Sequence, residues 1–480
     1  MRNLLSLASA LLSLCLLSCQ RSSEANHLVN ASSCAEAESV LPITGTFLNL
    51  PYQDVRNTYT NPLSMDYTDP QFWTVKVNEM AKMGMEYLVL MAVANEGQSY
   101  YPSKLMPWVY NASLKSPVDA IMDAAAANGM KVFMSTGWAK DQDDNLRDPA
   151  IKGRQIEMME ELAGLYGEHP AFYGWYLPVE DCFGPVLTDY AVEAVNALTA
   201  RARELTPAAK IMISPYGIFC SNFDDPRYEK QIMRLTVDII AYQDEIGCVR
   251  EKYPLTNLRE NWKKLRAIHD KAGIEMWANC ETFAWEKGTN DRQSALIPAP
   301  FPRLLSQMAA ATEGGAEKII SFIICGLFEK PGSQYPLGQP YWSEKAYEDY
   351  MAWLGGDAYW KTVEEYFLSH AGPLENALDK GWMKYKAGTY EIEVETGTAE
   401  LVVAMLNYNK KGVVPPAKVA LYGKGRKWTL IQEAPVQQWD NTNHDAFVDH
   451  VVFTEISTDL KKLKVVFTVE KESYIYVTRK

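Results

Sequence analysis

The sequence predicts a (β/α)8 TIM barrel followed by a smaller all-β sandwich domain. Between residues 41 and 330, about eight apolar runs alternate with helical segments, which is typical of a parallel sheet covered by helices. From about residue 384 onward, shorter runs alternate apolar with polar residues, which is typical of antiparallel strands with one buried face. The two patterns meet near His370, so we expect two folded domains in one chain.

The strands of the predicted barrel follow helical segments that end in glycine. Glycine after a helix can adopt the left-handed conformation that turns the chain into a strand, and Gly84, Gly129, Gly273 and Gly315 stand at such positions. The predicted strands are 43–48, 87–92, 132–136, 173–177, 211–215, 237–243, 274–278 and 319–325. An open doubly wound sheet is the alternative, but no Gly-rich phosphate-binding turn follows the first strand.

The first 18 residues predict a lipoprotein signal peptide. Arg2 precedes an apolar stretch from Leu4 to Leu17 that is too short to span a bilayer. The stretch ends in Leu16-Leu17-Ser18-Cys19, which resembles a bacterial lipobox and implies lipid attachment at Cys19. We therefore expect an exported protein anchored through Cys19 to a bacterial outer membrane, on the cell surface or the periplasmic face. An ordinary secretory signal is the alternative.

The remaining domain limits are predicted from changes in composition. Residues 19–40 are rich in Ser, Ala and Glu without periodicity and indicate a flexible tether. The barrel domain then covers 41–370, a linker covers 371–384, and the sandwich covers 385–480. The predicted strands of the sandwich are 390–395, 399–405, 419–422, 464–469 and 473–478.

Composition restricts the kinds of partner. The 480-residue chain is 47% hydrophobic and 22% charged, as expected for a globular protein, and its formal net charge is −13. Nucleic-acid surfaces need concentrated positive charge, so this charge argues against a nucleic-acid partner. No histidine follows a predicted barrel strand, which argues against a histidine metal site or a Ser-His triad. We expect no cofactor, no metal and a monomer.

The candidate site lies at the C-terminal ends of the predicted strands, where TIM barrels place their active sites. Glu180 and Glu281 follow the fourth and seventh strands, and two carboxylates on separate strands are what acid/base attack on a glycosidic bond requires. The candidates for substrate binding follow other strand ends: Trp138, Asp181, Tyr216, Tyr242, Glu245, Asn279, Phe283 and Trp285. Trp138, Tyr216, Phe283 and Trp285 could stack on sugar rings. For Glu245 the alternative to a substrate contact is a solvated loop, and the pattern favours the loop.

The segment His169-Pro-Ala-Phe-Tyr-Gly-Trp-Tyr176, followed by Glu180, resembles the fourth strand of clan-A glycoside hydrolases. The resemblance implies Glu180 as acid/base and Glu281 as nucleophile, which favours a retaining mechanism. Such a nucleophile should stay ionised, and Asn279 or Tyr242 could donate a hydrogen bond to it. Nearly the whole mature chain also resembles a poorly characterised family of glycosidase-like barrel lipoproteins with a C-terminal β-sandwich, from glycan-degrading Gram-negative bacteria.

One residue departs from the pattern of the clan. Val179 stands where the clan usually has an asparagine that bonds the sugar 2-hydroxyl. Two functions are therefore open, and both imply a carbohydrate partner. The first is a lipid-anchored glycoside hydrolase acting on a poly- or oligosaccharide. The second is a non-catalytic glycan-binding surface lipoprotein with a degenerate barrel.

Overall fold

The structure is a computed structural model, and Val40–Lys480 forms one compact unit in it. The residues that it describes are 39–50, 68–138, 146–179, 184–249, 255–286, 295–357, 382–397, 399–407, 411–438 and 447–479.

Eight parallel strands close into a barrel in the order β1-β2-β5-β6-β7-β8-β9-β12, and β12 pairs with β1. The strands of this half of the chain are β1 Ile43–Leu48, β2 Tyr87–Leu90, β3 Ala94–Asn95, β4 Gln98–Ser99, β5 Lys131–Met134, β6 Phe172–Tyr176, β7 Lys210–Ile213, β8 Ile239–Gln243, β9 Glu275–Glu281, β10 Phe283–Trp285, β11 Leu296–Pro298 and β12 Lys318–Phe322. The short pairs β3–β4 and β10–β11 lie outside the barrel. All eight predicted strands are present, so the barrel is confirmed and the open sheet is excluded.

Helices lie between the barrel strands. They are α1 Pro70–Lys82, α2 Pro117–Ala127, α3 Pro149–Tyr166, α4 Asp189–Leu205, α5 Pro226–Ile232, α6 Ile246–Val249, α7 Leu255–Ala272, α8 Phe301–Glu313 and α9 Pro340–Leu354. Helices α1, α2 and α3 begin at a proline preceded by Asp69, Ser116 or Asp148, whose side chain accepts a backbone N–H of the first turn. No helix in the described ranges is long and apolar enough to cross a membrane.

Aromatic rings fill the N-terminal end of the barrel. Tyr87 of β2 and Trp277 of β9 have ring centroids 5.1 Å apart, and Phe133 and Tyr173 of β5 and β6 lie 5.2 Å apart. Phe133 also contacts Trp277 at 6.0 Å, so the four rings form one group across the interior. TIM barrels place their active sites at the opposite, C-terminal ends of the strands.

A buried ion pair joins the first helix to the loop after the last barrel strand. The ammonium of Lys76 on α1 contacts the carboxylate of Glu329, and both side chains are almost fully buried. Glu329 also accepts the backbone N–H groups of Gly326, at 2.8 Å, and Leu337, at 3.3 Å. The pair therefore fixes this loop against the helix layer.

The C-terminal region is an antiparallel sheet. Its strands are β13 Met383–Val394, β14 Leu401–Asn407, β15 Lys418–Lys424, β16 Trp428–Pro435, β17 Phe447–Phe453 and β18 Lys462–Arg479. The order is β16-β15-β18-β14-β17, and β13 pairs along β18. The all-β region is confirmed, but the two predicted strands at 464–469 and 473–478 are one strand, β18. Because β18 pairs with β15 and then with β14, the described strands form one sheet, and a sandwich of two separate sheets stays a prediction.

This sheet packs directly on the barrel. Ala404, Leu406 and Tyr474 belong to the same hydrophobic core as the barrel side chains. Gln437 donates a hydrogen bond to the Pro298 carbonyl at 3.1 Å. Residues 358–381 lie outside the described ranges, so the linker at 371–384 and the domain limits stay predictions.

Candidate active site

Three carboxyl groups lie at the C-terminal ends of two neighbouring barrel strands. Asp244 and Glu245 directly follow β8, and Glu281 is the last residue of β9. Asp244 Oδ1 accepts the backbone N–H of Glu281, which joins the two strand ends, and the charge of Glu245 also acts on the Glu281 carboxyl. All three side chains are buried. Burying a carboxylate costs free energy unless its charge is compensated, so the surroundings decide which of the three ionise.

Glu245 adopts a backbone conformation that non-glycine residues rarely take. Its φ is 54°, in the left-handed region. Its Oε2 accepts the backbone N–H of Gly217 at 2.7 Å, and the N–H groups of Ile218 and Phe219 also bond to this carboxylate. Burial outweighs these hydrogen bonds and raises the pKa of Glu245 to about 7. The residue therefore titrates near neutral pH.

Asp244 connects the C-terminal ends of β8 and β9 through hydrogen bonds. Its Oδ1 accepts the backbone N–H groups of Glu281, at 3.1 Å, and Ile246, at 3.2 Å. Its Oδ2 accepts a hydrogen bond from the Gln307 side chain at 2.5 Å. Burial raises the pKa of Asp244, while these donors and the charge of Arg303 act in the opposite direction. Asp244 thus has the most complete set of charge-stabilising contacts of the three acids.

Glu281 is 5% exposed, and its Oε2 accepts the backbone N–H of Cys248 at 2.7 Å. Gly247 allows this approach, because a Cβ there would lie 2.9 Å from that oxygen and 2.8 Å from the Phe283 carbonyl. Burial first, and then the charges of Asp244 and Glu245, raise the pKa of Glu281 well above its ordinary value. Burial and the two neighbouring acids therefore oppose ionisation of Glu281, whereas the Cys248 amide and the charge of Arg303 favour it. The ionised nucleophile expected from the sequence stays a prediction.

Arg303 of α8 is the buried cation of this site, and sequence reasoning missed it. It is 1% exposed, and its Nη2 donates to the Phe283 carbonyl at 2.6 Å. Burial lowers the pKa of Arg303 to about 10, so it stays charged at neutral pH beside Asp244 and Glu281. Gln307, one helical turn later, also donates to the Glu281 carbonyl at 3.1 Å. Arg303 and Gln307, two long polar residues spaced by four in a mostly apolar helix, were the available signal.

The two expected donors to Glu281 bond elsewhere. The Tyr242 hydroxyl and His269 Nε2, on α7, are 2.8 Å apart, so Tyr242 faces the helix layer. Alternate strand residues face opposite sides, which corrects the expectation that Tyr242 reaches the substrate site. Asn279 faces the same side as Glu281, but its Nδ2 donates to Ser214 Oγ at 3.0 Å.

Buried polar atoms without a partner occur near the same strand ends. Within the described ranges, no hydrogen-bond partner is present for Asn49 Nδ2 after β1, Asn279 Oδ1 on β9 or Trp285 Nε1 on β10. Buried polar atoms are usually hydrogen-bonded, so these donors and acceptors suit a ligand that can both accept and donate.

The four candidate aromatic platforms differ in exposure. Tyr216 is 37% exposed, whereas Trp138, Phe283 and Trp285 are buried. Phe283 and Trp285 pack against each other with centroids 5.8 Å apart. In the described structure, Tyr216 therefore offers the most accessible ring face of the four.

Glu180 and Asp181 lie outside the described ranges, and the chain before them is described as far as Val179. Cys19 also lies outside these ranges. Their predicted roles in catalysis, substrate binding and lipid attachment stay predictions.

The closed barrel has a glycosidase-like fold. A candidate α-L-fucosidase from Bacteroides thetaiotaomicron is 19% identical, with a TM-score of 0.52 and coverage of 70% of this chain and 98% of the other. A glycoside hydrolase family 5 protein from Bacteroides vulgatus is 15% identical, with a TM-score of 0.38 and coverage of 83% and 86%. A xylanase from Thermoanaerobacterium saccharolyticum is 16% identical, with a TM-score of 0.37 and coverage of 64% and 96%. Only the first of these likenesses bears on the fold.

The chain belongs to the family described as domain of unknown function DUF4434, whose model matches residues 43–335. This match covers the barrel strands from β1 to β12. A comparison with curated proteins found no match.

Proposed function

We propose that this protein is a glycoside hydrolase that cleaves a poly- or oligosaccharide at the C-terminal end of its barrel. The observation that carries the proposal is the group of buried carboxyls at Asp244, Glu245 and Glu281. Such a group opposes folding and titrates at raised pKa, and both properties are typical of catalytic sites. The unpartnered polar atoms of Asn49 and Trp285 provide hydrogen-bonding capacity that suits sugar hydroxyls.

Within this proposal, Glu281 is the nucleophile and Glu180 the acid/base of a retaining reaction, as the resemblance implies. The raised pKa of Glu281 adds a condition, because a protonated carboxyl cannot attack the anomeric carbon. The value of kcat/KM should therefore increase as the pH rises through the pKa of Glu281. If Glu281 were the proton donor instead, kcat/KM would decrease over the same interval, so a pH–rate profile distinguishes the two roles.

The proposal is tested by screening the purified protein against a glycan panel together with three variants. We expect Glu281→Gln and Glu180→Gln each to lose at least about 100-fold in kcat, as expected when a catalytic carboxyl is removed. The matched control is Glu275→Gln, at the opposite end of β9, which should keep its activity. Undiminished turnover in both catalytic variants would contradict the proposal. NMR of the first product formed distinguishes retention from inversion.

A non-catalytic glycan-binding barrel is the second candidate. Two observations favour it: Val179 precedes Glu180, and the Glu281 carboxyl is buried with one oxygen bonded to the Cys248 amide. This function predicts that the wild-type protein hydrolyses no glycan in the panel but binds one of them. Calorimetry would then show that Tyr216→Ala weakens binding, whereas Glu281→Gln leaves it unchanged.

We also propose that Cys19 carries a lipid that anchors the protein to the outer membrane after export. The lipobox-like segment before it supports this proposal. Cys19→Ser should move the protein from the membrane fraction to the soluble fraction in a Gram-negative host. Retention of the variant in the membrane fraction would contradict lipid attachment at this residue.

A further inference from the structure

Glu245 is not used by a two-carboxyl mechanism at Glu180 and Glu281, yet its arrangement is unusual. It combines a buried carboxylate with a left-handed backbone. Such a conformation is unfavourable for a residue with a side chain and persists only when surrounding contacts hold it. Here those contacts are the backbone N–H groups of Gly217, Ile218 and Phe219, which hold the carboxylate in a fixed position.

The chain after Glu245 surrounds the Glu281 carboxyl. Glu245 lies between two residues that contact Glu281. Asp244 accepts the backbone N–H of Glu281 at 3.1 Å, and Cys248 donates its backbone N–H to Glu281 Oε2 at 2.7 Å. The two carboxyls are therefore held by the same short segment, residues 245–248. A change in the charge of one must change the ionisation of the other, because a shared low-dielectric surrounding screens little.

Among the described residues, four titratable groups interact with Glu281. They are Asp244 and Glu245 from the end of β8, Arg303 from α8, and the buried thiol of Cys280 on β9. Asp244 has two backbone donors, the Gln307 amide and the Arg303 charge to stabilise its ionised form. The largest contributions that favour ionised Glu245 come from backbone N–H groups, which carry no net charge. Its protonation state is thus the variable part of the electrostatic field at Glu281.

We propose that Glu245 is a positioning residue whose charge controls the ionisation of Glu281. Its catalytic meaning rests on the proposed glycosidase function, whereas the coupling between the two carboxyls does not. An ionised Glu245 keeps the proton on Glu281, and a neutral Glu245 releases it at lower pH. The segment 217–219 holds the Glu245 charge at a constant distance from Glu281, so the effect depends on charge more than on packing.

The direct test is a carboxyl ¹³C NMR titration of the glutamate-labelled full chain. The Glu281 resonance is assigned by its loss in Glu281→Gln. In Glu245→Gln the titration midpoint of Glu281 should fall by about one pH unit, the size expected for removal of an adjacent like charge. Glu245→Asp keeps the charge and should keep the midpoint. The matched control is Glu96→Gln, which removes an exposed acid that also has a left-handed backbone, and it should leave the midpoint unchanged.

A second neutral variant keeps the inference testable if Glu245→Gln does not fold. Glu245→Ser removes the same charge, so the Glu281 midpoint should fall to a similar extent. Unchanged midpoints in the folded variants would overturn the inference.

Kinetics separate this inference from the proposed function. In Glu245→Gln the acidic limb of kcat/KM should move to lower pH by the same shift as the Glu281 midpoint. If the wild-type protein hydrolyses no glycan but the midpoints move, the proposed function fails and the coupling stands. If hydrolysis occurs and the midpoints do not move, the coupling fails and the proposed function stands.

Discussion

At the scale of single residues, the site opposes the stability of its own fold. Asp244, Glu245 and Glu281 are buried next to one another, and Arg303 is the cation that faces them. Since like charges in a shared low-dielectric environment cannot all ionise, the raised pKa values are the expected response. The stability of the protein should therefore depend on pH through these residues.

The pH dependence can be predicted for Glu245, whose pKa rises from 4.5 to about 7 on folding. A raised folded-state pKa means that the stabilising contribution is complete below about pH 4.5 and is lost as the pH rises through about 7. Replacing Glu245 with Gln should therefore increase the free energy of unfolding more at about pH 8 than at about pH 5, by up to about 3 kcal/mol. Urea unfolding at both pH values measures this. Equal changes at both pH values would contradict it, and Glu96→Gln should show no such difference.

Gly247 provides a second test at this scale. In Gly247→Ala the new methyl group would meet the Phe283 carbonyl and Glu281 Oε2, both closer than 3.0 Å. We expect a loss of about 1–3 kcal/mol of stability, as for other overpacked sites, together with reduced kcat because the carboxyl moves. Gly164→Ala in α3 is the control, since no atom lies within 4 Å of its added Cβ. Thermal unfolding of the two variants compares them, and equal effects would contradict the close approach at Gly247.

The sequence was informative about site residues that follow strands and uninformative about those that reach the site from a helix. Glu245 and Glu281 could be named because a TIM barrel gathers its strand ends. Arg303 could not be placed, because the direction in which a helix presents a residue depends on how that helix packs. The raised pKa of Glu281 was also not predictable, since it depends on neighbours that are distant in sequence.

At the scale of elements, α8 connects the helix layer to the C-terminal end of the barrel. Its residues from Phe301 to Thr312 are all buried, and the two with the longest polar side chains are Arg303 and Gln307. The helix therefore supplies both a core surface and the charge that compensates Asp244.

Removing this charge should destabilise the protein strongly. In Arg303→Met the methionine side chain replaces the apolar part of the arginine, but Asp244 loses the neighbouring positive charge. Breaking a buried charge pair typically costs about 3–5 kcal/mol, so we expect a loss of stability of this size. Arg154→Met on α3 is the control, because Arg154 pairs with Glu157 at the surface and such pairs contribute at most about 1 kcal/mol. Chemical denaturation measures both variants. Similar small losses in the two would show that Arg303 does not compensate a buried charge.

Strand prediction was accurate in the barrel and weaker in the C-terminal sheet. Barrel strands are buried on both faces, so their sequences are short continuous runs of apolar residues. These runs distinguish them from the amphipathic helices between them. The polar run Glu470-Lys471-Glu472 separates the two strands predicted at 464–469 and 473–478. In the structure these residues continue strand β18, whose pairing partner changes from β15 to β14. Strand β16 was missed because its side chains are mostly exposed or half-buried, so its pattern gives little hydrophobic signal.

At the scale of the whole molecule, the barrel and the C-terminal sheet share part of one core. Ala404, Leu406 and Tyr474 pack with barrel residues, and Asp349 on α9 contacts His450 on β17 at 3.3 Å. Lys345 contacts the same Asp349 carboxylate at 2.5 Å. Separation of the two regions would expose both apolar and charged surface that is now buried.

We therefore expect the two regions to unfold together. Calorimetry of the full chain should show one cooperative transition, because loss of the sheet would uncover the shared core. A chain ending at residue 357 should unfold at a lower temperature than the full chain or aggregate. Two well-separated transitions in the full chain, with the barrel transition unchanged by truncation, would contradict this prediction.

The closure of the barrel also has a consequence for the order in which the protein can be made. Ile43 of the first strand pairs with Ile319 of the last strand. Lys76 forms its ion pair with Glu329, which is 253 positions further along the chain. During synthesis, β1 therefore has an unsatisfied edge until almost the entire barrel has been translated. Contacts so distant in sequence form slowly, and an open strand edge can pair with another chain. Nascent chains of this protein should accordingly be most prone to aggregation just before β12 emerges from the ribosome.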